Sequence, residues 1–372
     1  MIKSVLPPRV PALLPAVFAV VAVTWWILGW PLGVDSGVYR SGALALLDGE
    51  SLYGPPAATP DWSPELPFAY PPIAAVVFLP LALLPVQLAW GVLAVASVAA
   101  LRTSVRVVGG AGWVVPLLLC LEPVWRTIGL GQVNLLLMAL VLVDVLALRG
   151  SRFSGVLIGV AAAVKLTPLV FVAHLLVTGR RRDAARAVAT FAGLGVGGFV
   201  LLPGDTVRYW TSTVLSANKA GGNAWWGNQS LSGVVQRVAG GSPVVLVLLA
   251  LACLGVAAYL ARELHRRGDL VGAVLVTAFC GLLVSPISWT HHWVWVAPLC
   301  AVLLARRQVV AAAVLPGLCA GWVFALVPRD EGRELLWTPP ESLAGNAYVL
   351  AAVVGLGLTA VRLVRVRRPV LR

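Results

Sequence analysis

At 372 residues, 59% hydrophobic and 12% charged, with a mean hydropathy of +0.91, the chain is far too apolar for a soluble domain. Its formal net charge of +13 would suggest nucleic acid in a soluble protein. Here most basic residues fall in short loops and tails on one side of the predicted spans, so the charge reports topology and no nucleic-acid partner is implied.

The pattern is that of an all-α polytopic membrane protein, a single integral membrane domain over residues 1–372 with both termini cytoplasmic. A helix crossing ~30 Å of hydrocarbon needs about 20 residues, and apolar runs of that scale recur from end to end. The first span runs from Val10 to Trp30, behind Lys3 and Arg9, and suits an uncleaved signal anchor. A long loop follows over 32–69, and loops of that length are usually functional. It opens on Pro31-Leu-Gly-Val-Asp35-Ser-Gly-Val-Tyr39-Arg40-Ser-Gly42, which predicts a short amphipathic helix with Val38, Leu44, Leu46 and Leu47 on its apolar side and Asp48-Gly49 at its end. The chain re-enters at Phe68-Ala-Tyr70-Pro-Pro72 and runs to Ala100, long enough for part of it to be tilted or kinked.

Trp113 to Gly129 reads as one outward span and Leu135 to Leu148 as its return. The stretch 155–177 starts after Arg152 and ends at Arg180-Arg-Arg182, so it begins and ends on the basic side. Lys165-Leu-Thr167-Pro168 in its middle predicts a break into a re-entrant pair of half-helices. A second long external loop, 203–242, carries Trp225-Trp226-Gly-Asn228-Gln229-Ser230 and Arg237. Further spans follow at 244–260, 270–284, 295–304, 309–327 and 347–363, giving about 11–12 hydrophobic segments in all.

In this topology the unusual polar groups share the extracytoplasmic end: Asp35, Arg40, Glu122, Arg126, Gln132, Asn134, Lys165, Asn228, Gln229, Arg237, His291 and His292, with Tyr39, Tyr70, Trp225, Trp226, Trp289 and Trp293 among them. Carboxylate, cations and aromatic rings together can hold a sugar, neutralise a phosphate and take a proton from a hydroxyl. Asp35 reads equally as a helix N-cap and as a general base. Lys165, a lysine within an apolar run, calls for an anionic partner and belongs at a cavity wall facing Asp35. One of His291 and His292 fits a polar pocket, with the other facing outward. Trp225, Trp293 and Trp295 read as an interfacial aromatic belt. His174, Asp144 and Arg208 read as structural, and the five cysteines as packing residues with neither disulfide nor zinc spacing. No metal site is indicated. The absence of a D-x-D pair and of a Gly-rich phosphate loop argues against a metal-bound nucleotide-sugar site, so a donor would carry a lipid.

The ordered set Gly33-Val-Asp35-Ser36 with Tyr39, Phe68-Ala-Tyr70-Pro71-Pro72, Gly129-Leu-Gly131-Gln132-Val-Asn134, Lys165-Leu-Thr-Pro168, Asn228-Gln229-Ser230-Leu and Ser285-Pro286 with Trp289-Thr-His-His292 resembles glycosyltransferase family 87, roughly over residues 30–295. Beyond residue 300 only a generic bundle is legible. The resemblance implies a GT-C-type glycosyltransferase bundle of the plasma membrane, without cofactor. It would use a polyprenyl-phosphate-sugar donor and a glycolipid or lipoglycan acceptor of the phosphatidylinositol mannoside or lipomannan type, and form an α-(1→2) mannosidic bond on the outer face. Family members that transfer arabinofuranose leave the sugar open; a lipid-linked-sugar transporter or flippase, or a non-catalytic partner in an envelope-synthesis complex, is a competing class. On this reading Asp35 is the base, assisted by His291 or His292. Lys165, Arg126 and Arg237 hold the donor phosphate, and Tyr39, Tyr70, Gln132, Asn134, Asn228, Gln229 and Trp289 line the substrate site.

Overall fold

The computed structural model describes residues 10–56, 60–216 and 223–365. Lys3, Arg9 and the basic tail 366–372 lie outside them. Every regular element among the described residues is helical, and the one strand-like pairing is a single antiparallel bridge between Asn228 and Trp289. Among the described residues four helices are long and apolar enough to cross a membrane, and several shorter apolar helices accompany them.

Helix α1 (Val10–Leu28) packs along α4 (Val86–Val107). Between them lie α2 (Val34–Asp48) and α3 (Pro72–Ala82), which pack on each other. The predicted span 68–100 is thus two helices, broken at 83–85 because Pro85 cannot continue α3 and instead leads into α4. The buried face of α2 also differs from the predicted leucine stripe, since Leu47 is exposed and the packed positions are Ser36, Val38, Tyr39, Ser41, Gly42, Ala43 and Ala45. Small residues win here because α2 lies close against its neighbours; a Cβ on Gly42 would run into the Phe68 ring.

The predicted span 113–129 is also not one helix. Helix α5 (Val115–Leu118) and α6 (Glu122–Leu130) meet at 76°. Pro123 opens α6, and the Glu122 amide donates to the Cys319 carbonyl at 2.6 Å instead of back into α5, which fixes the corner. Helix α7 (Asn134–Leu142) runs on through a π-turn to Ala147. Helix α8 (Val156–Val164) starts where the buried Asp144 carboxylate accepts from the Gly155 and Ile158 amides. It ends at Lys165, whose backbone is extended, and after a 3-10 turn α9 (Val170–Val177) continues.

Helix α10 (Arg181–Leu201) packs on α8, and the short α11 (Pro203–Arg208) and α12 (Val214–Ser216) follow it. Helix α13 (Leu231–Val238) is capped by Ser230, whose hydroxyl accepts from the Gly233 amide. Helices α14 (Pro243–Arg266) and α15 (Leu270–Val284) form an antiparallel pair, and α16 (Val296–Ala305) follows a 3-10 turn at 290–295. Helix α17 (Val309–Leu318), α18 (Pro339–Gly345) and α19 (Ala347–Arg365) complete the chain. The core runs through Leu101, Leu135, Met138, Leu142, Ile158, Leu260 and Leu283. Val17, Val20, Phe199, Val200, Val247 and Leu251 of α1, α10 and α14 face outward, as lipid-contacting surfaces do.

Trp293 and Trp295 are core residues, not belt residues: Trp293 packs on Tyr348 and Phe279, and Trp295 on Phe171. Their turn is wrapped by α6, α7 and α15, so it offers no interfacial position.

Candidate functional site

The start of α2 is pinned by two glycines in left-handed backbone. Gly33 (φ 77°) is the N-cap and Gly131 (φ 72°) closes α6. A Cβ on Gly33 would approach the Trp90 side chain to 2.8 Å, and one on Gly131 would lie 2.7 Å from the Ser36 Cβ. The Ser36 hydroxyl donates to the Gly33 carbonyl at 2.8 Å, and the Trp90 indole N–H donates to the Ile128 carbonyl at 2.7 Å, so α2, α4 and α6 are locked at one point. Asp35 therefore sits in the first turn of a helix already capped by glycine, and no side chain caps α2. Its carboxyl group is left for other use.

That carboxyl is half-buried, and burial pushes its pKa up to about 6 against the opposing pull of a hydrogen bond from Gln132 and the charges of Lys165 and Arg126. Gln132 is itself fixed. The Tyr39 hydroxyl donates to its Oε1 at 2.6 Å, and its Nε2 donates to the Tyr70 hydroxyl at 3.2 Å. Tyr39 is 0% exposed and stacks on Phe78, so it braces the site from behind; Tyr70 is half-buried.

Lys165 stands at the break between α8 and α9. Its Nζ donates to Asn134 Oδ1 at 2.9 Å, lies 3.4 Å from His292 Nε2 and sits over the Tyr70 ring. Among the described residues it has no ion-pair partner within bonding distance, although Asp35 and Lys165 feel each other's charge. Asn134 Nδ2 and the Thr127 hydroxyl both donate to the His291 carbonyl, at 3.0 and 2.8 Å, so the backbone of the histidine turn is tied to α6 and α7. His292 reaches Lys165. His291 is 7% exposed, with neither ring nitrogen bonded to protein.

Lys165, Asn134, Ser288 and His292 form the polar end of a cavity of about 220 Å³. Thr167 and Ser285 also line it, and the rest of its lining is apolar, with Leu137, Met138, Phe171, Ala278, Leu282 and Trp295. The arrangement can hold an anion at the lysine and an apolar chain beside it, with the Asp35 carboxyl within reach of the lysine's charge.

Arg126 flanks Asp35 and presents its guanidinium 5.2 Å from the Trp226 ring centroid. Arg237 does not join it. Its guanidinium is spent on Asn346 and on the carbonyls of Ala224, Trp225 and Asn228, which ties the 223–242 segment to α19. Asn228 and Gln229, both fully buried, are likewise stitches: Asn228 Oδ1 accepts from the Ser288 amide and Gln229 Nε2 donates to the carbonyls of Trp226 and Gly345. Trp289 is half-buried against Trp225. Among the described residues no three His, Cys, Asp or Glu side chains converge as metal ligands do.

The segment after residue 300 is not generic with respect to this site. Tyr348 of α19 donates to Glu122 at 3.0 Å, Phe324 packs on Trp226, and Arg329 lies over the same indole. Nothing in an apolar run around Tyr348 signals this; only Glu122, an acid next to a helix-opening proline, was visible as unusual.

A carboxylate, a lysine at a helix break and an attached apolar cavity thus meet in an all-helical protein with apolar candidate spans. The family model of glycosyltransferase family 87 matches residues 68–286, and the chain belongs to that family. It is 33% identical to the polyprenol-phosphate-mannose-dependent alpha-(1-2)-phosphatidylinositol mannoside mannosyltransferase of Mycolicibacterium smegmatis, over 91% of this chain and 87% of the relative. It is 34% identical to the protein of the same name from Mycobacterium tuberculosis over the same shares, 91% and 87%. With the phosphatidylinositol pentamannoside mannosyltransferase of M. tuberculosis it shares 38% identity over 96% of this chain and 89% of the relative. No solved structure gives a significant match.

Proposed function

We propose that the chain transfers mannose from polyprenyl-phosphate-mannose to a phosphatidylinositol mannoside, forming an α-(1→2) bond at the outer face of the plasma membrane. The names of its relatives support donor, linkage and acceptor class. The observation that carries the site assignment is the joining of Lys165, Asn134 and His292 to an apolar cavity of about 220 Å³, with the Asp35 carboxyl within reach of the lysine's charge. The isoprenoid chain occupies the cavity and its phosphate meets Lys165 and His292. Basic loops such as Arg149, Arg152, Arg180 to Arg182, Arg266 and Arg267 favour a cytoplasmic opposite end, with both termini there. A GT-C-type bundle with extracytoplasmic loops at 32–69 and 203–242 accommodates this topology.

A β-linked sugar phosphate giving an α product requires one in-line displacement. Asp35 takes the proton of the acceptor hydroxyl as its oxygen bonds to the sugar C1. The bond from C1 to the phosphate oxygen breaks with its electron pair, and the lipid phosphate leaves as an anion held by Lys165, Arg126 and His292. Tyr70, Asn134 and Trp289 face the sugar; Tyr39 and Gln132 hold Asp35. The test incubates purified protein with labelled polyprenyl-phosphate-mannose and defined phosphatidylinositol mannosides, then reads product mass and linkage. A new α-(1→2)-mannosyl product supports the proposal. Transfer only from the arabinose donor would replace the sugar, and no transfer from either would overturn the enzymatic reading.

A further inference from the structure

The Glu122 carboxylate lies outside the set of groups assigned to substrate, yet four elements of the fold converge on it. It is 3% exposed at the first position of α6. Its Oε1 accepts from the Thr290 hydroxyl at 2.6 Å and from Arg126 Nη1 at 3.3 Å, and its Oε2 accepts from the Tyr348 hydroxyl at 3.0 Å. Its backbone amide donates to the Cys319 carbonyl, and the turn after α17 closes over it so tightly that a Cβ on Gly321 would lie 2.9 Å from the Glu122 Cγ.

All three side-chain partners are donors. A carboxylate accepts from all of them, whereas an amide would turn an NH₂ group toward one. Three donors thus converge on the carboxyl group, and Arg126 is the cation beside it. Only one N–H of Arg126 is used in that bond, and its other N–H groups have no protein partner among the described residues. The guanidinium is thus held at one corner, one quarter exposed beside Trp226 and close enough for its charge to act on Asp35. Thr290 directly precedes His291 and His292, so the same carboxylate also fixes the turn that carries the histidines.

We propose that Glu122 is the positioning residue of the phosphate-binding wall, and that α19, through Tyr348, is a working part of the site. The proposal rests on the reading of Arg126 as a ligand of the donor phosphate. A buried carboxyl group that orients one arginine and one histidine turn together sets where the leaving phosphate is caught, without touching it. A structural corner alone needs neither the partly open guanidinium nor the link to the histidine turn.

The test uses the full chain in lipid nanodiscs and measures kcat and KM separately for polyprenyl-phosphate-mannose and for a phosphatidylinositol mannoside acceptor. Glu122→Gln is expected to lower kcat/KM for the donor by about ten- to a hundredfold, with the acceptor KM within about twofold. Tyr348→Phe, which keeps the carboxylate and its arginine, is expected to act in the same direction by about three- to tenfold. A double-mutant cycle gives the decisive readout: in an Arg126→Gln background Glu122→Gln should cost less than in the wild-type background, because the share that runs through Arg126 is already lost and only the share carried by Thr290 to the histidine turn remains. Additive losses, or donor parameters at wild-type values in Glu122→Gln while Arg126→Gln is impaired, would overturn this inference alone. A wild-type donor KM and kcat in Arg126→Gln would remove the phosphate reading itself, and with it the inference. Should Glu122→Gln fail to fold, Tyr348→Phe carries the same cycle against Arg126→Gln.

Discussion

Tyr39 and Asp35 stand one turn apart on α2 and are joined through a residue from another part of the fold: the Tyr39 hydroxyl donates to Gln132 at 2.6 Å, and Gln132 bonds the Asp35 carboxyl. The tyrosine is 0% exposed, yet its hydroxyl sets which way the amide points. A side chain amide has one acceptor and one donor end, so an acceptor fixed by Tyr39 forces the donor end toward Tyr70 and Asp35.

Transfer by Asp35 requires the ionised form, and its pKa stands at about 6. The kcat/KM profile should therefore rise with pH through about 6 and level off above it. The stability sign is opposite. Below the ordinary value of 3.8 both folded and unfolded chains hold the proton; between 3.8 and about 6 only the folded chain does, so stability falls as pH rises across that window and stays lower above it. Asp35→Asn should abolish turnover yet melt at or above the wild-type temperature at pH 7.5. Activity in that variant, or a pH-independent profile, would remove Asp35 as the base.

Gln132→Leu deletes the hydrogen bond that opposes burial at Asp35 and removes the acceptor of the shortest bond of the Tyr39 hydroxyl. The acid limb of the pH profile should move to higher pH, and the rate at pH 7 should drop by about tenfold or more. A pH-rate profile with the wild-type midpoint would show that Gln132 does not tune the carboxyl.

Gly131→Ala places a Cβ in left-handed backbone, 2.7 Å from the Ser36 Cβ at the α2–α6 contact. The expected cost is about 1–3 kcal/mol of stability, together with a loss of kcat as Asp35 moves away from Gln132. Thermal melts paired with kinetics separate it from Gly129→Ala, where nothing crowds the new methyl group.

Lys165 and Arg237 should divide cleanly. Lys165→Met, at the polar end of the cavity, is expected to reduce donor kcat/KM by about a hundredfold with little change in melting temperature. Arg237→Met leaves Asn346 and three carbonyls without their donor and should destabilise the fold by about 3–5 kcal/mol, while the protein that remains folded keeps its donor KM. Equal effects on donor KM would return Arg237 to the phosphate.

Filling the apolar cavity tests the donor from its other end. Ala278 lines it and is buried. Ala278→Phe should raise KM for a polyprenyl-phosphate-mannose while leaving acceptor KM unchanged, as measured with saturating partner substrate; an unchanged donor KM would place the isoprenoid elsewhere.

The sequence by itself determined what does not depend on distant neighbours. Composition forces an all-helical membrane protein, because a chain this apolar must satisfy its backbone internally. The lysine and proline at Lys165-Leu-Thr-Pro168 break their helix locally, and the ordered motifs from Gly33 to His292 carry the family. Tertiary structure decided the rest. Whether Asp35 caps α2 depended on Gly33 taking left-handed backbone against Trp90. Whether 113–129 was one straight helix or a bent pair depended on Glu122 finding the Cys319 carbonyl, a partner far along the chain. Arg237, Asn228 and Gln229 look like ligands in the sequence because polar groups in apolar surroundings need partners; those partners turned out to be backbone carbonyls and amides of other segments, which no residue spacing reveals. Tyr348 shows the converse, an unremarkable position in an apolar helix that reaches the site only because α19 packs beside α15 and lays its hydroxyl on Glu122.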